Sequence, residues 1–208
     1  MKVSPSMLAC NFSKMGEEIQ KINSANMVHM DVMDGNFVPN ISFGAYVVKS
    51  LRSKSNLPFD VHLMVKDPIK HIDAFADAGA DIITFHVESD SNIMDTINKI
   101  KSRRKKVGIS IKPGTKIETL FPYLKYIDLV LIMTVEPGLG GQEFMPEQMQ
   151  KANIIKANSE NKNILIEVDG GINLKTIKIV KKYPVDICVS GTCIFKSKNI
   201  SETIKQLK

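Results

Sequence analysis

A chain of 208 residues, 43% hydrophobic and 24% charged, has enough apolar material for one sizeable core and the composition of a folded globular protein. No apolar run approaches the roughly 20 residues needed to span a bilayer, so no membrane partner is expected. The formal net charge of +6 suits anionic partners, but with no Trp and 6% aromatics the chain lacks a platform for stacking bases, and no nucleic-acid partner is expected.

Along the chain a short apolar, often β-branched run is followed again and again by a longer amphipathic segment. Val3–Leu8 reads as a strand and Lys14–Asn23 as the helix after it; Met27–Val32 and Ala45–Ser53 make the second pair. Phe59–Met64 precedes Pro68–Ala78, where Asp67 and Pro68 supply an N-cap and a first-turn proline. Asp81–His86 precedes Ile93–Arg103, and Lys106–Ile111 precedes Ile117–Leu124. Leu129–Thr134 is followed by Pro146–Asn158, Asn163–Val168 by Leu174–Lys182 behind an Asn173 cap, and Asp186–Ser190 by Ser201–Leu207.

Eight strand–helix alternations with no linker between them predict one domain, residues 1–208, folded as a single α/β (β/α)8 TIM barrel. An open doubly wound sheet fits less well, because the first strand lacks a glycine-rich dinucleotide turn. Barrels of this kind carry their chemistry at the C-terminal ends of the strands.

The second strand ends in His29-Met30-Asp31-Val32-Met33, and alternation points His29, Asp31 and Met33 to one face. His62 and Met64 share a face at the end of the third strand, and Asp169 stands at the tip of the seventh. Taken singly, a barrel histidine is more often a hydrogen-bonded core residue, and an aspartate at a strand end is often the cap of the next helix. Together, two imidazoles and two carboxylates turned into the barrel mouth would be left uncompensated unless something bound them. The mixed N/O set suits one divalent metal of the zinc, iron(II), manganese or cobalt group better than magnesium or calcium.

Glycine turns mark a second cluster. Gly138-Leu139-Gly140-Gly141 follows the sixth strand, Gly170-Gly171 the seventh and Gly191-Thr192 the eighth. Glycine also serves ordinary tight turns. Three such turns on neighbouring strands let backbone N–H groups approach an anion, and they predict a phosphate site. Met33, Met64 and Met133, at inward strand ends, read either as plain core or as an apolar cap over the reacting carbon.

Other residues have blander readings. His86 reads as structural, His71 as solvated on a helix, and Lys112 as a lysine before a proline turn with nothing nearby to lower its pKa. The basic run at residues 101–106 falls where a helix ends, where cations complement the dipole. Cys10, Cys188 and Cys193, odd in number and without metal-ribbon spacing, read as buried thiols of a reducing compartment. The first residues lack a signal-peptide core, and a cytoplasmic location is expected.

With Ser4-Pro5-Ser6, His29 to Gly35, Phe37 to Asn40 and His62 to Val65 in place, the chain resembles the ribulose-phosphate 3-epimerase family. Lys112 to Thr115, Met133 to Gly138, Val168 to Gly171 and Ser190 to Thr192 extend the resemblance over essentially the whole length. It implies a barrel enzyme of the pentose phosphate pathway that interconverts D-ribulose 5-phosphate and D-xylulose 5-phosphate, and that forms homo-oligomers. It also implies that His29, Asp31, His62 and Asp169 hold the metal, with Asp31 as proton acceptor and Asp169 as donor. Ser6 and His62 would touch the sugar phosphate. Gly138 to Gly141, Gly170, Gly171, Gly191 and Thr192 would hold it, chiefly at its phosphate.

Four positions depart from the family's pattern: Asn11 where an acid is frequent, Leu139 where an aromatic is, and Thr192-Cys193 where serine and alanine are. They bear on substrate preference, not on the reaction class. The competing readings are an epimerase of a six-carbon ketose phosphate, a Schiff-base aldolase acting through Lys112, and a phosphate- or RNA-binding barrel without turnover.

Overall fold

Eight short strands and the helices between them follow one another through residues 1–208 of the computed structural model, all of which it describes. The strands are β1 (Lys2–Pro5), β2 (Val28–Met33), β3 (Phe59–Met64), β4 (Ile82–His86), β5 (Lys106–Ile111), β6 (Leu129–Met133), β7 (Leu165–Asp169) and β8 (Ile187–Ser190). All pair in parallel in the order β1-β8-β7-β6-β5-β4-β3-β2. A parallel bridge between Ser6 and His29 brings the two ends of the sheet together, leaving a nearly closed barrel. Parallel neighbours need crossovers, and the intervening helices supply them.

The helices are α1 (Met15–Lys21), α2 (Ala45–Arg52), α3 (Ile72–Asp77), α4 (Ile93–Ser102), α5 (Gln150–Asn158), α6 (Ile177–Val180), α7 (Thr192–Phe195) and α8 (Ile200–Leu207). None is long and apolar enough to cross a membrane. The crossover expected as a helix at Ile117–Leu124 is instead a 3-10 helix, Ile117–Tyr126, with Pro122 inside it. Proline lacks the N–H that an α-helical turn requires there. Asp67 does not cap the helix after β3; its carboxylate accepts from Ser91 Oγ and pairs with Lys70 at 2.7 Å. Asn173 does cap, accepting from the N–H groups of Lys175 and Thr176 at 2.8 and 3.2 Å, but the turn it caps leads into the shorter α6.

Strand alternation divides the core in two. Outward residues such as Phe59, Leu63, Ile83 and Phe85 are fully buried against the helices. Each such side chain contributes roughly 1.5–3 kcal/mol by leaving water. Inside the barrel, Met27, Ile82, Leu129, Leu131 and Ile187 form a separate apolar plug toward the N-terminal ends of the strands. Above that plug the inward positions turn polar. At the foot of α4, Arg103 pairs with Asp73 at 2.6 Å and also with Asp77, so part of the basic run is neutralised on the neighbouring helix.

Candidate active site and metal centre

The polar layer above the plug begins on β2. Its alternation turns His29, Asp31 and Met33 inward, and register against β3 sets Asp31 beside His62. Asp169 reaches the same point from the last position of β7. One donor atom from each of His29, Asp31, His62 and Asp169 lies within 4.8 Å of all the others. His29 Nε2 is 3.3 Å from Asp31 Oδ1 and 4.0 Å from Asp169 Oδ2, while His62 Nδ1 is 3.1 Å from the same Asp31 oxygen. Both imidazoles are sealed from solvent, and Asp169 keeps 18% exposure toward the opening.

A second tier holds these groups in place. His29 Nδ1 meets Asp60 Oδ2 at 2.8 Å, and Thr84 Oγ1 donates to the other Asp60 oxygen at 3.2 Å. With Asp60 taking the Nδ1 proton, His29 is oriented with Nε2 toward the cluster. That Nε2 is fully buried and has no hydrogen-bond partner. An orphaned imidazole nitrogen facing two carboxylates and a second imidazole is a donor set that fits a divalent cation. His29, Asp60 and Glu167 also come together one layer deeper. There burial, with the Asp60 charge adding to it, lifts the Glu167 carboxyl well above the usual range.

The two aspartates have opposite tendencies. Burial works against a charge on Asp31, but the His29 imidazole beside it outweighs burial and holds the carboxyl well below the usual range. Burial and the nearby Asp31 charge push Asp169 the other way, up to about 6. Burial likewise opposes a charge on His29, and there Asp31 and Asp60 prevail and raise it. Ser6 Oγ donates to Asp31 Oδ2 at 2.5 Å. Asp31 therefore turns Oδ1 toward the histidines and Oδ2 toward Ser6.

A cleft of about 350 Å³ opens over this centre. Ser6, Asp31 and Asp169 line it, together with Met33, Met64 and Met133, each of them nearly fully buried. The other wall comes from Gly138, Leu139, Gly140 and Gly141 after β6, Gly170 and Gly171 after β7, and Gly191 and Thr192 after β8. No Lys or Arg lines the cleft, so the net positive charge is spread elsewhere and an anion there would meet backbone N–H groups. Gly170 and Gly171 have φ of +125° and +66°, and a Cβ on Gly171 would stand 2.6 Å from the backbone nitrogen of Phe144. Only glycine lets the two loops approach so closely.

The sixteen expected site residues thus gather at one mouth, but not all on its surface. His29 and His62 lie beneath the lining, so His62, expected to touch substrate as well as metal, is fully buried and does not face the open cleft. His71 is exposed at the start of α3. Lys112 lies outside the cleft, its Nζ 3.9 Å from the centre of the Phe37 ring.

Sequence reasoning passed over Asp60, Glu167 and the short helix α7. The first two were within reach: each stands two residues before a ligand candidate, on the same strand face. Four residues in α7 are too few for periodicity to reveal, yet Gly191 begins it and its first residues, Thr192 and Cys193, line the cleft. Phosphate sites in barrels often use such an extra helix after the eighth strand.

The profile described as the ribulose-phosphate 3 epimerase family matches residues 2–195. A protein of Bacillus subtilis named ribulose-phosphate 3-epimerase is 38% identical over 213 residues, covering 100% of this chain and 98% of its own. The Arabidopsis thaliana protein named ribulose-5-phosphate-3-epimerase, chloroplastic, is 41% identical over 212 residues, covering 99% of this chain and 75% of its own. Among solved structures, KGPDC from Streptococcus mutans superposes with a TM-score of 0.75 at 13% identity, covering 99% of this chain and 94% of that one. A 3-hexulose-6-phosphate synthase from Salmonella typhimurium gives 0.75 at 17%, covering 100% and 96%. At such identities the two structures speak for the barrel alone.

Proposed function

The chain belongs to the ribulose-phosphate 3-epimerase family, and on that premise we propose that it epimerises D-ribulose 5-phosphate and D-xylulose 5-phosphate at C3 through Asp31 and Asp169. It is a carbohydrate isomerase by that membership. The observation that carries the mechanism is geometric: Asp31 and Asp169 both line the cleft floor, and each presents an oxygen to the same two histidine nitrogens. Two carboxyl groups so placed are suited to act as base and acid.

A proton α to a ketone is weakly acidic, and inversion requires its removal on one face and its return on the other. Asp31 and Asp169 come from strands separated by β1 and β8 around the barrel, so they address the reacting carbon from different sides. Asp31 Oδ2, oriented by Ser6, takes the C3 proton, and the substrate becomes an enediolate. The Asp169 carboxyl returns a proton to the opposite face, and the reverse direction exchanges their roles. Met33, Met64 and Met133 exclude water from the carbon between them. His29, Asp31, His62 and Asp169 would hold one zinc, iron(II), manganese or cobalt ion. That cation would supply Lewis-acid stabilisation of the charge on the substrate oxygens. The glycine wall and the start of α7 receive the phosphate through N–H groups.

A homo-oligomer and a cytoplasmic site of action belong to the same proposal; light scattering of the purified protein tests the first. The activity itself is tested by a coupled assay before and after chelation. Conversion of ribulose 5-phosphate that vanishes with the chelator and returns with one of these metals supports the reading. Conversion unaffected by complete metal removal overturns the metal, and none under any metal overturns the substrate.

A further inference from the structure

Beyond the candidate metal centre a line of buried polar groups runs outward through β4. His62 Nε2 lies 2.9 Å from His86 Nε2, and His86 Nδ1 lies 3.1 Å from Glu88 Oε2 in the turn after that strand. The other Glu88 oxygen accepts the backbone N–H of Lys112 at 2.8 Å. Both imidazoles are fully buried, and the Phe37 ring packs on His86 with centroids 4.7 Å apart.

Two Nε2 atoms at hydrogen-bond distance share one proton, so one imidazole donates and the other accepts. The far end of the line settles which. Burial alone would favour a neutral Glu88, but the hydrogen bonds it accepts hold its carboxyl below the usual range. An ionised carboxylate only accepts, so His86 Nδ1 must carry a proton and donate to it. A neutral His86 that donates from Nδ1 has no proton on Nε2, so that atom is the acceptor. His62 Nε2 then donates, and a neutral His62 is left with its lone pair on Nδ1. That atom faces Asp31 Oδ1 at 3.1 Å. A lone pair against a carboxylate oxygen at this distance is repulsive unless a cation lies between them.

We propose that Glu88 and His86 form a relay that presets the tautomer of His62, leaving Nδ1 bare as a ligand for a divalent cation. His86 and Glu88 are thereby positioning residues; neither is among the residues that line the cleft. The inference rests on the metal-dependent reading above and extends it to two side chains outside the ligand set. It also replaces the structural role that sequence alone assigns to His86. The relay through His62 mirrors the Asp60 carboxylate that orients His29, but it is one residue longer because an imidazole stands between ligand and carboxylate. Such outer partners typically change metal affinity by about 10–100-fold.

The test titrates Co(II) into the metal-free protein and two variants. His86→Leu removes the acceptor, whereas His86→Gln offers an amide oxygen to His62 and an amide N–H to Glu88. Binding weakened by about 10–100-fold in His86→Leu and largely restored in His86→Gln is the expected pattern. Thermal melts of the metal-free variants check that the fold persists. Should His86→Leu fail to fold, nitrogen-15 NMR of the histidine rings in the Zn(II)-loaded wild-type protein decides. Protons on His62 Nε2 and His86 Nδ1 support the relay, and a proton on His86 Nε2 overturns it. Equal Co(II) affinity in His86→Leu and wild type overturns the relay but leaves the metal reading standing. A wild-type protein that binds neither Co(II) nor Zn(II) overturns both.

Discussion

The two sides of the cleft are made from different parts of the polypeptide. The floor at the ends of β2, β3 and β7 is built of side chains, three of them held by another buried side chain: Ser6 on Asp31, Asp60 on His29, His86 on His62. The opposite wall, after β6, β7 and β8, is built of glycine loops and presents backbone. Side chains can differ in charge and proton affinity, which proton transfer requires. A phosphate keeps its charge throughout the reaction and needs only fixed N–H dipoles, which glycine backbone supplies at close range. Damage to the floor should therefore appear in kcat or metal affinity, and damage to the wall in KM.

The sharpest way to break that comparison is to neutralise one of the acids. Asp31→Asn or Asp169→Asn should lower kcat by about 10²–10⁴ with little change in the affinity for inorganic phosphate. Steady-state kinetics and phosphate inhibition measure the two together, and a variant altered only in KM would refute the division. Asp60→Asn should act through the metal. Its amide N–H facing His29 Nδ1 drives the proton to Nε2, and Zn(II) affinity should drop about 10–100-fold in a direct titration.

On the wall, Gly171→Ala asks for a Cβ 2.6 Å from the Phe144 backbone nitrogen at a φ of +66°. The left-handed conformation alone costs roughly 1–2 kcal/mol. A KM raised by about tenfold, corresponding to ~1.4 kcal/mol, is expected alongside a lower Tm and unchanged Co(II) binding. A loss of metal affinity instead would show that the two sides are not separable. Thr192→Val should have the smallest effect. The valine keeps the backbone N–H that faces the phosphate, so KM should rise only a few-fold while kcat holds.

Much of this was legible in order along the chain. The strand expected at Phe59–Met64 and that at Lys106–Ile111 match the structure residue for residue, since a short, largely apolar stretch between polar turns has few other uses. Boundaries slipped where local chemistry changed: Pro122 converted a helix into a 3-10 turn, and Asp67 gave up its capping role for Ser91 and Lys70. His29, Asp31, His62 and Asp169 were found because each sits at a strand end, where alternation and the barrel rule apply together. Asp60 and Glu167 lie one pleat deeper, where the same rule foresees packed core, and so they escaped notice. His86 stands alone on its strand, and a lone histidine carries no sign of what it touches.

The sequence by itself determined the alternation, the barrel, the four inward donors and the glycine turns, because each depends on spacing along the backbone. Only the tertiary structure decided the surroundings of the two aspartates, the partners of the two histidines and the line from His62 through His86 to Glu88. Those depend on which groups from different strands are buried within 4 Å of one another. Burial and Coulomb interaction act across space, and sequence separation does not record either.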